Sequence, residues 1–115
     1  MRHLRKGRKF GRVANQRRAL TKSMASSFFM SGSICTTEAK AREMRPIVEK
    51  FLTRAKSPTL ATRRYLHAYF KPNVVSRILI MGQSTGTRPG GYTRMVKLGT
   101  RTRDSARLAI LEMVK

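Results

Sequence analysis

The sequence predicts an α+β protein: a single two-layer α/β domain over residues 13–115, preceded by a basic arm over residues 1–12. Three observations predict it. Apolar residues recur at three- and four-residue spacing through much of residues 13–81, the period of helices that bury one face. Two strand-like runs close the chain after a glycine-rich loop. The length, 115 residues, suits one modest core and is too short for two. The expected order is a helix, a short strand, about three helices and two C-terminal strands.

The arm comes first. Nine of the first 22 residues are Lys or Arg: Arg2, Arg5, Lys6, Arg8, Lys9, Arg12, Arg17, Arg18 and Lys22. No acid appears before Glu38. So dense a positive run repels itself, and Leu4, Phe10, Val13 and Leu20 are too few to build a core. Order in this segment therefore requires a dense negative partner. A polyphosphate backbone is the leading candidate, because each cation that meets a phosphate releases condensed counterions. An Arg-rich, acid-free N-terminus is also the composition of an organellar transit peptide, but Gly7 and Gly11 interrupt any amphipathic helix there. A secretory signal is excluded more firmly, since no apolar segment follows the charges.

From about residue 13 to residue 30 a helical period sets in, with Leu20, Met24 and Phe28 on one face and Arg17, Arg18 and Lys22 on the other; Gly32 is its expected stop. Residues 34–37 are short and β-branched, hence extended. Thr37 stands where an N-cap belongs and Glu38 favours the first turn of a second helix. That helix carries Met44, Ile47, Val48, Phe51, Leu52 and Ala55 at helical spacing, with Pro46 inside the pattern as a kink or restart. Lys40, Arg42, Arg45 and Lys50 are offset from the stripe, and Glu43 and Glu49 lie among them. Ser57-Pro58 reads as a cap and first position for a helix reaching about Tyr69. Asn73 is a candidate cap for the next, whose apolar face is Val74, Val75, Ile78 and Leu79. Residues 82–91 are loop. Residues 92–98 and 106–114 are the two strands, joined by a hairpin loop over residues 99–105. In the second strand Leu108, Ile110 and Val114 alternate with Ala109, Leu111 and Met113, so both faces are apolar and the strand is central or well covered.

Composition bounds function before any motif does. The formal charge of +21 points to nucleic acid first, an anionic membrane surface second and an acidic protein third. No apolar run approaches the length of a spanning helix, about 18 residues. The five acids are dispersed, His3 and His67 have no evident carboxylate partner in the pattern, and the glycines form no phosphate-binding fingerprint, so there is no case for an enzyme or a cofactor. Cys35, the single cysteine, allows no intramolecular disulfide and no cysteine metal cluster; it reads as a small apolar strand residue. Four places are candidates for nucleic-acid contact: the arm, including His3; the polar face of the first helix; Arg63-Arg64; and residues 88–94. In the last, Arg88 and Arg94 offer bidentate forks and Gly90-Gly91 permits close approach. Successive strand residues point to opposite faces, so Tyr92 and Arg94 are expected to share one; the Tyr92 ring stacks on a base if that face meets RNA, or packs if that face meets the core.

Three blocks, MRHLRKGRKFGR at the start, TTEAKAREMRPIVEKFLTRAK over residues 36–56 and GGYTRMVKLGTR over residues 90–101, resemble the bacterial large-subunit ribosomal protein seventeen family, as does the ending AILEMVK. Departures are Gln16-Arg17 for a common His-Arg, STGTRP before Gly90, and Arg103-Asp104 for a common Gly-Asp. The resemblance implies a two-layer α/β domain in the order above and treats the basic stretch as the family's own N-terminus rather than a transit peptide. It implies a structural role on large-subunit rRNA near the peptide exit tunnel, beside other ribosomal proteins, with no membrane and no small-molecule substrate, in a cytoplasmic or organellar ribosome. By position it falls on Arg2, His3, Gly7, Arg8, Lys9 and Arg12, on Thr36, Thr37, Ala39 and Lys40, and on Gly90 to Arg94. The alternative is a nucleoid-type DNA-binding protein, which would commonly show dimerisation or groove-reading elements not found here.

Because residues 1–12 lack core-forming side chains, they are expected to be disordered in the free protein and ordered on RNA. Backbone order parameters on the isolated protein, lower there than in the helices, are the check.

Overall fold

The structure, a computed structural model, describes residues 3–115; Arg2, expected among the contacts of the arm, lies outside the described residues. Its elements are α1 (Ala14–Ser31), β1 (Ser33–Thr37), α2 (Glu38–Ala55), α3 (Leu60–His67), α4 (Pro72–Ser84), β2 (Thr93–Thr100) and β3 (Arg107–Met113). The three strands form one antiparallel sheet in the order β1-β3-β2. As the two apolar faces of its sequence require, β3 is the central strand. Leu111 pairs with Ile34 of β1 on one side and Met95 of β2 on the other. Ala109 and Leu111 are fully buried beneath α2, which packs across all three strands and against α1, α3 and α4.

Several ends differ from expectation, each for a local reason. The buried face of α1 is Ala25, Phe28 and Phe29, while Leu20 and Met24 are only half-buried, because the sheet and α4 cover the C-terminal half of the helix. Gly32 closes α1 at φ +82°, in the left-handed region that an L side chain enters at a cost, and its N–H donates to the Phe28 carbonyl at 2.6 Å. Thr37 occupies the N-cap position of α2, but its side chain makes no capping hydrogen bond.

Pro46 does not break α2, which runs uninterrupted from Glu38 to Ala55. The proline and Arg42, four residues back, are both exposed, so the carbonyl left without its N–H partner is on the water side. The cap of α3 is Thr59, not Ser57: its Oγ1 accepts from the Thr62 N–H at 3.2 Å, and Ser57-Pro58 forms the preceding turn. Pro72 is the first residue of α4, and Asn73 Oδ1 accepts from Val74 N–H within the first turn.

Gly82, expected in the loop, lies inside α4, and the reason is steric. A Cβ there would stand 2.4 Å from Ala55 Cβ and 2.7 Å from the Ala55 carbonyl carbon. The crossing of α2 and α4 is closed by a bare backbone. In the final hairpin β2 extends to Thr100 with a bulge between Lys97 and Gly99. The loop's non-glycine positive φ falls on Ser105, at +57°, rather than on Arg103.

Gly82→Ala therefore overpacks the α2–α4 crossing. The expected loss is about 1–3 kcal/mol, measured by denaturant melts, with Gly90→Ala as a control at a glycine outside the helices whose Cβ position is open and whose φ is not in the left-handed region.

Candidate nucleic-acid interface

The distribution of ion pairs separates two kinds of surface. Glu38 pairs with Arg42 and with Lys97 at 3.6 Å, Glu49 with Arg45 at 3.6 Å, Glu112 with Arg94, and Asp104 with Arg101 at 2.9 Å. All of these lie on α2, the sheet or its hairpin. Among the described residues no Lys or Arg from position 5 to position 22 makes an ion pair. Arg5, Lys6, Arg8, Lys9, Arg12, Arg18 and Lys22 are exposed, and Arg17 is half-buried. The positive field is thus uncompensated along the arm and the first turns of α1, and partly neutralised on the sheet.

The described part of the arm folds back on the helices through turns. Leu4 and Phe10 take positive φ, 57° and 53°. Arg12 Nη1 donates to the Phe10 carbonyl at 2.9 Å, and Arg17 Nη1 donates to the Arg12 carbonyl at 3.0 Å, tying the end of the arm to α1. Phe10 is half-buried, the one arm residue among those described that is not exposed. Arg8, Arg17, Arg18 and Lys22 come together around an open groove between the arm, α1, α2 and the turn after α3. A smaller groove on the sheet side gathers Arg8 with Arg42, Arg107 and Glu38. Arg107 carried no motif in the sequence; only the fold brings it beside the arm.

The remaining predicted residues are scattered. His3 lies on the exposed arm. Lys40 is half-buried in the first turn of α2, and Arg63 and Arg64 are exposed on α3. Arg88 is exposed in the loop, where its carbonyl accepts from Lys56 Nζ. Arg94 is exposed but already engaged with Glu112 across the sheet.

Tyr92 is a correction. Its ring is 1 % exposed, in the core, and Lys56 Nζ stands 3.5 Å from its hydroxyl and 5.4 Å from the ring centroid. Nor does it share a face with Arg94. Tyr92 precedes β2, next to Gly91 at φ +63°, so the two-residue alternation of the strand does not reach it. Thr93 is buried as well, and its Oγ1 donates to Glu49 Oε1 at 2.7 Å. A ring held this way packs; it does not stack on an outside base.

Comparison with known proteins agrees with the pattern of blocks. The family model for "Ribosomal protein L17" matches residues 20–114. The chain is 42 % identical over 116 residues to a large ribosomal subunit protein bL17 of Salinibacter ruber, covering 99 % of this chain but 59 % of that longer relative. It is 41 % identical over 116 residues to the bL17 protein of Gemmatimonas aurantiaca, covering 99 % of this chain and 98 % of the relative. To that of Pelobacter propionicus it is 38 % identical over 117 residues, covering 100 % and 92 %.

Tyr92→Ala should lower stability by about 3–5 kcal/mol, as for other large aromatic truncations in a core. At temperatures where the variant remains folded its RNA affinity should match the wild type, which a melt paired with a binding titration measures.

Proposed function

Because the chain belongs to the ribosomal protein L17 family, we propose that it is a structural constituent of the large ribosomal subunit that binds and stabilises large-subunit rRNA. The observation that carries the RNA reading is the uncompensated charge of the arm and α1, set against a sheet whose acids are already paired. The mechanism is neutralisation and cross-linking. The domain docks as a rigid body, and the arm runs between RNA segments whose backbones repel each other until cations lie between them. The phosphate contacts are assigned first to Arg2, Arg5, Lys6, Arg8, Lys9, Arg12, Arg17, Arg18 and Lys22, with His3 among them. Lys40, Arg63, Arg64, Arg88 and Arg94 are secondary contacts on other faces. A position beside the peptide exit tunnel, next to other ribosomal proteins, rests on the resemblance of residues 1–12, 36–56 and 90–101. The cellular place that follows is the ribosome in the cytoplasm, or its organellar counterpart.

Deleting residues 2–12 removes six Lys or Arg. If each meets a phosphate, the log–log salt slope of rRNA binding falls by about 4–5, at about 0.7–0.9 per contact. Domain stability should change by no more than about 1–2 kcal/mol, the share of the half-buried Phe10. Salt titrations, thermal melts and co-sedimentation with large subunits through a high-salt wash measure these. An unfolded domain with intact rRNA binding, or equal retention on duplex DNA and rRNA, would overturn the reading.

A further inference from the structure

The groove between the arm, α1, α2 and the turn after α3 has a volume of about 720 Å³, within the range of about 300–1,000 Å³ typical of sites for small organic ligands. Its chemistry is mixed in a specific way. The floor is aromatic: Phe51 and Phe70 are buried, and Tyr69, 43 % exposed, continues them outward with its ring 5.6 Å from that of Phe51. Phe10 of the arm lines the groove as well, half-buried. Around these apolar faces stand Arg8, Arg17, Arg18 and Lys22. Glu43 also lines it, the one acid that makes no ion pair among the described residues.

Resting on the rRNA reading above, we propose that this groove receives a single unstacked base of the bound RNA. The base lies against Tyr69 and Phe10, and its flanking phosphates lie on the surrounding cations. Charge complementarity selects a nucleic acid over a protein side chain, because four cations lining an apolar pocket need anions beside the inserted group. Glu43 selects the base over a phosphate as the occupant: its carboxylate repels a phosphate but accepts from the N–H donors of a base edge. An unstacked base is required because a duplex keeps its base faces inside the stack, where no aromatic floor reaches them. The pocket thus adds recognition of RNA shape to an otherwise sequence-blind electrostatic contact.

The test compares a 12-nucleotide single-stranded RNA of mixed sequence with a duplex RNA of the same length, by fluorescence anisotropy over a salt series. Tyr69→Ala and Phe10→Ala should each weaken single-strand binding by about 5- to 150-fold, the equivalent of one lost base stack. Duplex affinity and both salt slopes should stay unchanged. Tyr69→Phe should retain wild-type affinity. Phe10 lies outside the buried core, so its variant keeps the domain folded, and a melt verifies the Tyr69 variants. Equal losses on both probes, or no loss on either, would overturn the pocket while steep salt dependence leaves the rRNA reading standing. Absence of salt-dependent binding to either probe would overturn both. A wild-type dimer that dissociates on Tyr69→Ala, seen by sedimentation, would assign the groove to a second copy of the chain instead.

Discussion

Burial of the apolar stripe of α2 is the interaction on which the rest of the molecule depends. Ala41, Met44, Val48, Leu52 and Ala55 are all at or near zero exposure, and α2 is packed against every other element. A helix buried on several sides is held by its packing more than by its intrinsic propensity. That is why Pro46 is tolerated in its exposed face and why a side-chain cap at Thr37 is dispensable. The same burial sets the demands on its neighbours. Leu111 and Ala109 lie under α2 from the sheet, Tyr92 closes one end through Lys56, and α4 gives up a side chain at Gly82 to approach Ala55.

Charge is arranged around this core so that self-repulsion falls where the chain is least constrained. Four of the five carboxylates pair on α2, the sheet and its hairpin, where the packed elements meet, while the described cations of the arm and the polar face of α1 make no ion pair. A domain with a formal charge of +21 is destabilised by its own field unless counter-charge is near. Concentrating the uncompensated part on one peripheral segment limits that effect on the core and leaves the segment dependent on an anionic partner. For a member of the ribosomal protein L17 family, that partner is the polyphosphate of the rRNA in the function proposed above.

Periodicity, breakers and charge determined much by themselves: the order of elements, the central place of the strand with two apolar faces, the stop of α1 at Gly32 and the cationic arm. These properties are local, written in spacing along the chain, and tertiary contacts had only to ratify them. Tertiary structure alone decided the rest. Tyr92 had an equal case for stacking or packing until the Gly91 turn and Lys56 placed its ring in the core. Gly82 read as a loop residue because nothing in its neighbourhood announces that Ala55, 27 positions away in sequence, would press on it. Arg94 read as an open fork because Glu112 comes beside it only through strand pairing. The aromatic floor beneath the arm was likewise invisible. Phe10 and Tyr69 are distant in sequence, and only the folding back of the arm over α2 and the α3 turn brings them to one groove. Sequence spacing reports what lies on one face of one element; which faces meet is set by burial among elements far apart in the chain.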